Sequence, residues 1–227
     1  MNVGMRILVI DDHPLFREGL KSLLTGLAPE VEVVQACSVD DARRFAVPEA
    51  QLRPDLVLMD WFMPGVQGVA ALHQVRGLFE DAAVVVVSGE ESPQVIREAI
   101  QQGASGYIPK STDPSVTTQA LRLVLAQGVY LPREALTGGD ANTVAPSGAR
   151  QGGTDPSWAE QLSPRQFSVL KCLLQGKPNK VIAREIGIAE GTVKAHLWAV
   201  YQLLGASNRA QAMYRAHELG LFGHLPG

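Results

Sequence analysis

The chain has 227 residues with 46% hydrophobic and 19% charged side chains, enough for two ordinary domains and far from the composition of a disordered segment. Two cysteines, Cys37 and Cys172, exclude a disulfide scaffold, and both lie in apolar company that predicts buried free thiols of a reducing cytosol. The net charge of −3 is split unevenly: the first 137 residues carry 11 Lys+Arg against 17 Asp+Glu, and residues 156–227 carry 8 against 4, so an acidic module is tied to a basic one suited to a polyanion. No apolar run approaches the roughly 20 residues that span a bilayer, and the N-terminus lacks a signal-peptide core, so a soluble, cytoplasmic protein with no membrane partner is expected.

From Met5 to about Gln127 the pattern alternates strand and helix five times. Strands are expected near 5–10, 31–36, 55–59, 82–87 and 105–108, with helices near 14–26, 39–47, 66–78, 92–102 and 113–126. Such alternation specifies an α/β fold, a doubly wound, five-stranded parallel sheet with helices on both faces. Asp113-Pro114 and Ser92-Pro93 read as helix starts, and Gly103 and Gly128 as stops. Residues 138–155 hold five glycines and almost no large apolar side chain, which reads as a flexible tether.

Chemistry concentrates where the strands end. Met5–Ile10 closes on Asp11-Asp12, and Leu56–Met59 closes on Asp60; the strand near 82–87 ends at Ser88 and that near 105–108 just before Lys110. Ligands of open α/β sheets bind outside the carboxyl ends of the strands, so these side chains stand where a site is expected. Three carboxylates brought together repel one another unless a cation joins them, and oxygen-only ligands suit Mg²⁺. Taken singly, Asp11 reads as a helix cap, Ser88 as a turn residue and Lys110 as a solvated charge. Carboxylate, hydroxyl and ammonium groups at four strand ends argue together for a phosphoryl-binding cup.

Residues 5–127 resemble a receiver domain of two-component signalling. The resemblance is carried by Asp11-Asp12, Asp60 with Met63-Pro64, Ser88, and Gly103-Ala104-Ser105-Gly106-Tyr107-Ile108-Pro109-Lys110. It implies a flavodoxin-like fold in which Asp60 accepts a phosphoryl group, and Mg²⁺ is held by Asp11, Asp12, Asp60 and the backbone carbonyl of Phe62. Lys110 and the Ser88 hydroxyl would contact the phosphoryl oxygens, and Tyr107 would be the aromatic that moves inward on switching. Departures from the family pattern are Gln67, Gly89 and the bulky Trp61 beside the acceptor.

After the tether, Ser163-Pro164-Arg165-Gln166 forms a capping box that opens a helix ending at Gly176. Helices near 179–186, 191–204 and 207–219 follow, the second and third separated by a break, Gly187–Glu190, of helix-turn-helix length. The stretch LSPRQFSVLKCLLQGKPNKVIAREIGIAEGTVKAHLWAVYQLLGASNRAQA is similar to the LuxR-type DNA-binding domain of NarL/FixJ-type response regulators. That resemblance implies base contacts by Val193, Lys194 and either Ala195 or Trp198, and phosphate contacts by Lys180, Thr192, His196 and Arg209. Ala189 stands where the family usually has Ser or Thr, and a lost N-cap costs about 1 kcal/mol, so fraying of the recognition helix is expected.

The two resemblances divide the chain into a receiver over 1–130, a flexible linker over 131–157 and a small all-α DNA-binding domain over 158–227. They imply a transcription regulator, not an enzyme, phosphorylated by a cognate sensor histidine kinase and binding promoter DNA as a homodimer when active. The alternative is a DNA-binding regulator independent of phosphate, whose receiver is a dimerisation module. A phosphohydrolase would need an acid two residues after the nucleophile, where Phe62 stands.

Overall fold

The computed structural model describes residues 5–26, 30–47, 53–126, 128–132 and 161–224. The tether and most of the expected linker lie outside the described residues.

Five short strands, β1 (Arg6–Ile10), β2 (Glu32–Ala36), β3 (Leu56–Met59), β4 (Ala83–Ser88) and β5 (Gly106–Pro109), pair in parallel in the order β2-β1-β3-β4-β5. Between them run α1 (Pro14–Thr25), α2 (Val39–Ala42), α3 (Gly68–Leu78) and α4 (Pro93–Gln101), and α5 (Pro114–Leu125) follows β5. Strand β3 is apolar at every position, and β1 and β4 at all but Arg6 and Ser88 at their ends, because both sheet faces are covered. Alternation decides which face each residue serves. Ile7, Val9, Leu56, Leu58, Val85 and Val87 pack with Leu20, Leu24, Leu121 and Val124 of α1 and α5. Leu8, Ile10, Val57, Met59, Val84 and Val86 pack with Leu72, Val75, Ile96 and Ile100 of α3 and α4.

The expected helix over 39–47 is instead one turn of α2 followed by a 3₁₀ turn at Arg43–Phe45. Val39 and Ala42 are its buried residues, so its apolar face spans one turn, and Arg43 and Arg44 reach back to Asp40 and Asp41 at 3.1 and 2.8 Å. Cys172 is buried as expected. Cys37 is exposed, because it lies past the end of β2, where the chain leaves the sheet.

The C-terminal part consists of α6 (Pro164–Leu174), α7 (Asn179–Ile186), α8 (Glu190–Leu204) and α9 (Arg209–Glu218) around a separate core of Val169, Leu173, Ile182, Val193, Leu197 and Val200. Ser163 and Gln166 form the capping box in both directions, at 3.2 and 2.8 Å. The helix-turn-helix break pivots on Gly187 at φ +71°, a left-handed conformation that a side chain would strain. Ala189 occupies the N-cap of α8 without a side-chain hydrogen bond, and Glu190 sits in the first turn.

Helix α9 also touches the first half. Ala210 and Tyr214 join the core on the α3/α4 side of the sheet. Asn208 Nδ2 donates to the Gly103 carbonyl at 2.6 Å, Gln211 Nε2 to the Gln101 carbonyl at 2.6 Å, and Arg76 Nη2 to Ser207 Oγ at 3.1 Å. Gly103, at φ +99°, leaves the space that Arg76 fills: a Cβ there would lie 2.1 Å from Nη1.

Candidate functional site: an acidic pocket and an exposed helix face

The parallel sheet delivers the acids to one rim. Asp11 directly follows β1 and Asp60 directly follows β3, which are neighbours, and Asp60 N donates to the Ile10 carbonyl at 2.8 Å. Ser88 ends β4, and Lys110 follows β5 with its amide bonded to the Ser88 carbonyl at 2.7 Å. Four strands thus converge on one cavity of about 770 Å³, lined by His13, Phe16, Asp60, Ser88, Glu90 and Lys110 among others.

Asp11 and Asp60 are only 2% and 3% exposed, so their charges need partners. Lys110 Nζ supplies one, 2.8 Å from Asp11 Oδ2 and 2.7 Å from Asp60 Oδ2. Burial pulls the Lys110 pKa down, yet its hydrogen bonds and attraction to Asp11 and Asp60 outweigh this and leave it raised, so the ammonium stays charged. The Phe16 ring lies 4.5 Å beneath the same nitrogen. His13 Nδ1 lies 3.1 Å from both Asp11 Oδ1 and Asp12 Oδ1.

Even so, the balance is negative. Asp12 Oδ1 is buried with no hydrogen bond, the signature of an oxygen awaiting a cation. Ligand atoms of Asp11, Asp12, His13 and Asp60 all lie within 4.8 Å of one another. The set fits a divalent ion: three carboxylates face one lysine, and hard oxygen donors prevail. Phe62, 45% exposed on the rim, donates its amide to Asp60 Oδ1 at 3.3 Å.

Ser88 is fully buried, and its Oγ accepts from the Glu90 amide at 3.2 Å. Tyr107 is already inward: its ring is fully buried and its hydroxyl donates to the Glu90 carbonyl at 2.6 Å. Burial, foremost, pushes that hydroxyl up to about 12. The expected inward movement of Tyr107 therefore has no distance left to cover from this conformation. The ring instead ties the loop after β4 to the sheet.

On α8, Val193, Leu197, Val200 and Leu204 face the core, leaving Thr192, Lys194, Ala195 and Trp198 outward; Trp198 is 66% exposed. Lys194 and Trp198 are one turn apart on one face. Lys180 is exposed on α7 and His196 half-buried. Val193 does not join them: it is fully buried, the first member of the stripe that seats the helix, and the expected base contact is unavailable to it. Arg209 also departs from expectation. It is 9% exposed, donating from Nη1 to Asn179 Oδ1 at 3.3 Å and from Nη2 to the Lys177 carbonyl at 2.6 Å, beside the contact with the first half. These acceptors hold it away from the outward face of α8.

Sequence reasoning did not single out Phe16, Arg76, Gln101 or Tyr214. None carries a local signal, because the roles of Arg76, Gln101 and Tyr214 arise only when α9 meets α3 and α4. His13 carried one, an imidazole adjoining an acidic pair.

Comparison with known proteins agrees with this geometry. The family described as "Response regulator receiver domain" matches residues 7–122, and "Bacterial regulatory proteins, luxR family" matches residues 160–216. The chain is 36% identical to the glycerol metabolism activator of Pseudomonas putida over 97% of this chain and 98% of that protein. It is 34% identical to the nitrate/nitrite response regulator protein NarL of Escherichia coli K12, over 95% and 96%. A crystal structure of a LuxR family DNA-binding response regulator from Silicibacter pomeroyi superposes with a TM-score of 0.50 at 37% identity, covering 57% of this chain and 98% of that one. A receiver sheet with its acidic rim, followed by a helix-turn-helix whose second helix turns Lys194 and Trp198 outward, places this chain among the response regulators with a LuxR-type DNA-binding domain, homologous to the NarL-type transcription regulators.

Proposed function

We propose that Asp60 is the phosphoacceptor, that a sensor histidine kinase in the cytoplasm is its donor, and that phosphorylation controls pairing of the chain and its binding to promoter DNA. The observation that carries this reading is the meeting of Asp11, Asp12, Asp60, Ser88 and Lys110 at one rim, with Asp12 Oδ1 still lacking a hydrogen bond. Mg²⁺ held by Asp11, Asp12, Asp60 and the Phe62 carbonyl would neutralise the carboxylates and the incoming phosphoryl oxygens. The chain's own groups do the rest. Asp60 offers the attacking oxygen, while Lys110 and the Ser88 hydroxyl receive charge on the equatorial oxygens. Small-molecule phosphodonors would serve the same pocket. In domain terms the receiver is assigned to 1–130, the linker to 131–157 and the DNA-binding domain to 158–227.

The contact made by α9 supports the regulatory half of the proposal. Tyr214 and Ala210 are buried against α3 and α4, so this helix cannot pair with a second copy while docked there. Lys194 and Trp198 remain exposed in the same state. Control therefore falls on pairing more than on access to the outward face of α8. Negative charge added at Asp60 draws on Ser88 and the Glu90 loop, which Tyr107 links to the sheet beside α4.

The test is the mass and DNA affinity of the full chain with and without beryllofluoride and Mg²⁺, at about 0.15 M salt, because ionic strength sets much of the affinity. Doubling of the mass with tighter binding is expected. Unchanged mass and affinity would favour the phosphate-independent regulator. Within the DNA-binding part, Lys194→Ala is expected to weaken promoter binding by about 1–3 kcal/mol if Lys194 reads a base. A uniform loss on all sequences, with a salt slope lower by about one, would assign it to phosphate instead.

A further inference from the structure

The imidazole beside the acidic pair caps no helix, and its Nδ1 meets the acids themselves. His13 is the N-cap residue of α1, with extended backbone angles of −89° and 105°, yet its side chain makes no capping hydrogen bond. Its backbone amide already donates to Asp11 Oδ1 at 2.8 Å. The ring is turned toward the acids, with Nδ1 at 3.1 Å from Asp11 Oδ1, 3.1 Å from Asp12 Oδ1 and 3.9 Å from Asp60 Oδ2. Two donors that share one ion at about 2.1 Å each stand roughly 3 to 4.2 Å apart, and all three separations fall in that window. Lys110 shares only one of these oxygens with the imidazole, Asp60 Oδ2; it otherwise engages Asp11 Oδ2, whereas His13 faces Oδ1 of Asp11 and of Asp12.

We propose that His13 is a fourth side-chain ligand of the cation site formed with Asp11, Asp12 and Asp60, and that its nitrogen shifts the site's preference from Mg²⁺ toward borderline first-row ions such as Mn²⁺ and Co²⁺. The proposal rests on the reading of this pocket as a divalent-cation site. Mg²⁺ favours oxygen and keeps its waters, so an imidazole adds little to its binding. Affinity for a nitrogen-containing donor set rises from Mn²⁺ through Co²⁺ toward Zn²⁺, so the same imidazole counts progressively more for these ions. His13, with a side chain about two-thirds exposed, can reach an ion entering from solvent without opening the core.

The experiment uses the full chain with Mg²⁺, Mn²⁺ and Co²⁺ as probes. Affinities are taken from equilibrium dialysis for the wild type, His13→Ala and Asp12→Asn, the last identifying ions bound at this pocket and not at the other four histidines of the chain. Pulsed EPR of bound Mn²⁺ reads directly coordinated nitrogen through its ¹⁴N coupling. The wild-type spectrum is expected to show that coupling and His13→Ala to lose it while still binding Mn²⁺. Co²⁺ affinity should fall about tenfold in His13→Ala, the order of loss when a metal site loses a supporting group, with Mg²⁺ affinity almost unchanged. Mn²⁺ bound in an Asp12-dependent way but without nitrogen coupling overturns the role of His13 and leaves the cation site standing. Absence of any Asp12-dependent ion overturns the site itself and this inference with it.

Discussion

Asp60→Asn is expected to reduce phosphoryl incorporation from acetyl phosphate and Mg²⁺ from about one group per chain to background. The substitution keeps the size of the side chain while removing the nucleophilic oxygen and its charge. Asp60 is 3% exposed at the floor of the cavity, where the neighbouring acid Asp11 is already engaged by Lys110, the His13 amide and its imidazole. The fold should tolerate the change, because the cluster loses one of three mutually repelling charges and Lys110 retains Asp11 at 2.8 Å. Intact-mass measurement, with hydroxylamine to cleave an acyl phosphate, reads the outcome. Equal labelling of wild type and Asp60→Asn would reject Asp60 as the acceptor, and an unlabelled wild type would reject the phosphorelay reading altogether.

Much of this architecture is legible in the sequence because the signals are local. Leu56–Met59 is apolar at all four positions, and only a strand covered on both faces accepts that. Ser163-Pro164-Arg165-Gln166 states its cap in four letters, and the capping box is present. The acids were found because each one closes an apolar run. What the sequence hides depends on contacts between distant segments. Arg209 reads as one more cation of a basic domain, and its burial follows from the Asn179 side chain and the Lys177 carbonyl, about thirty residues upstream. Val193 belongs equally to a recognition motif and to a helical stripe of period 3.6, and packing settled it for the stripe. Tyr214 reads as one aromatic in a terminal helix, and nothing local says that it packs against α4, more than a hundred residues away.

Lys110→Ala should lower the stability of the receiver half by about 3 kcal/mol in EDTA, at the lower end of the cost of removing one member of a buried ion pair. The ammonium is the cation that bridges Asp11 Oδ2 and Asp60 Oδ2, and both carboxylates lie almost wholly out of water. Its own side chain is 17% exposed, and His13 offers partial compensation to Asp11, which places the loss near 3 and not 5. Mg²⁺ should shrink the difference between variant and wild type. An ion bound at a hundredfold over its Kd adds about 2.7 kcal/mol, and it binds the variant more tightly because no ammonium competes for the same carboxylates. Urea unfolding followed by tryptophan emission, to which Trp61, buried beside Asp60, contributes the signal of the receiver half, measures the difference in each condition. A loss of equal size in EDTA and in Mg²⁺ would show that Lys110 and the cation act on separate charges, which the bridging geometry does not allow. Even with Mg²⁺ restoring the fold, phosphoryl transfer to Asp60 in Lys110→Ala should stay impaired, since a divalent ion on the carboxylates cannot replace the ammonium on the phosphoryl oxygens. Stability rescued without activity is thus the expected signature of a lysine that serves both the unmodified acids and the transferred group.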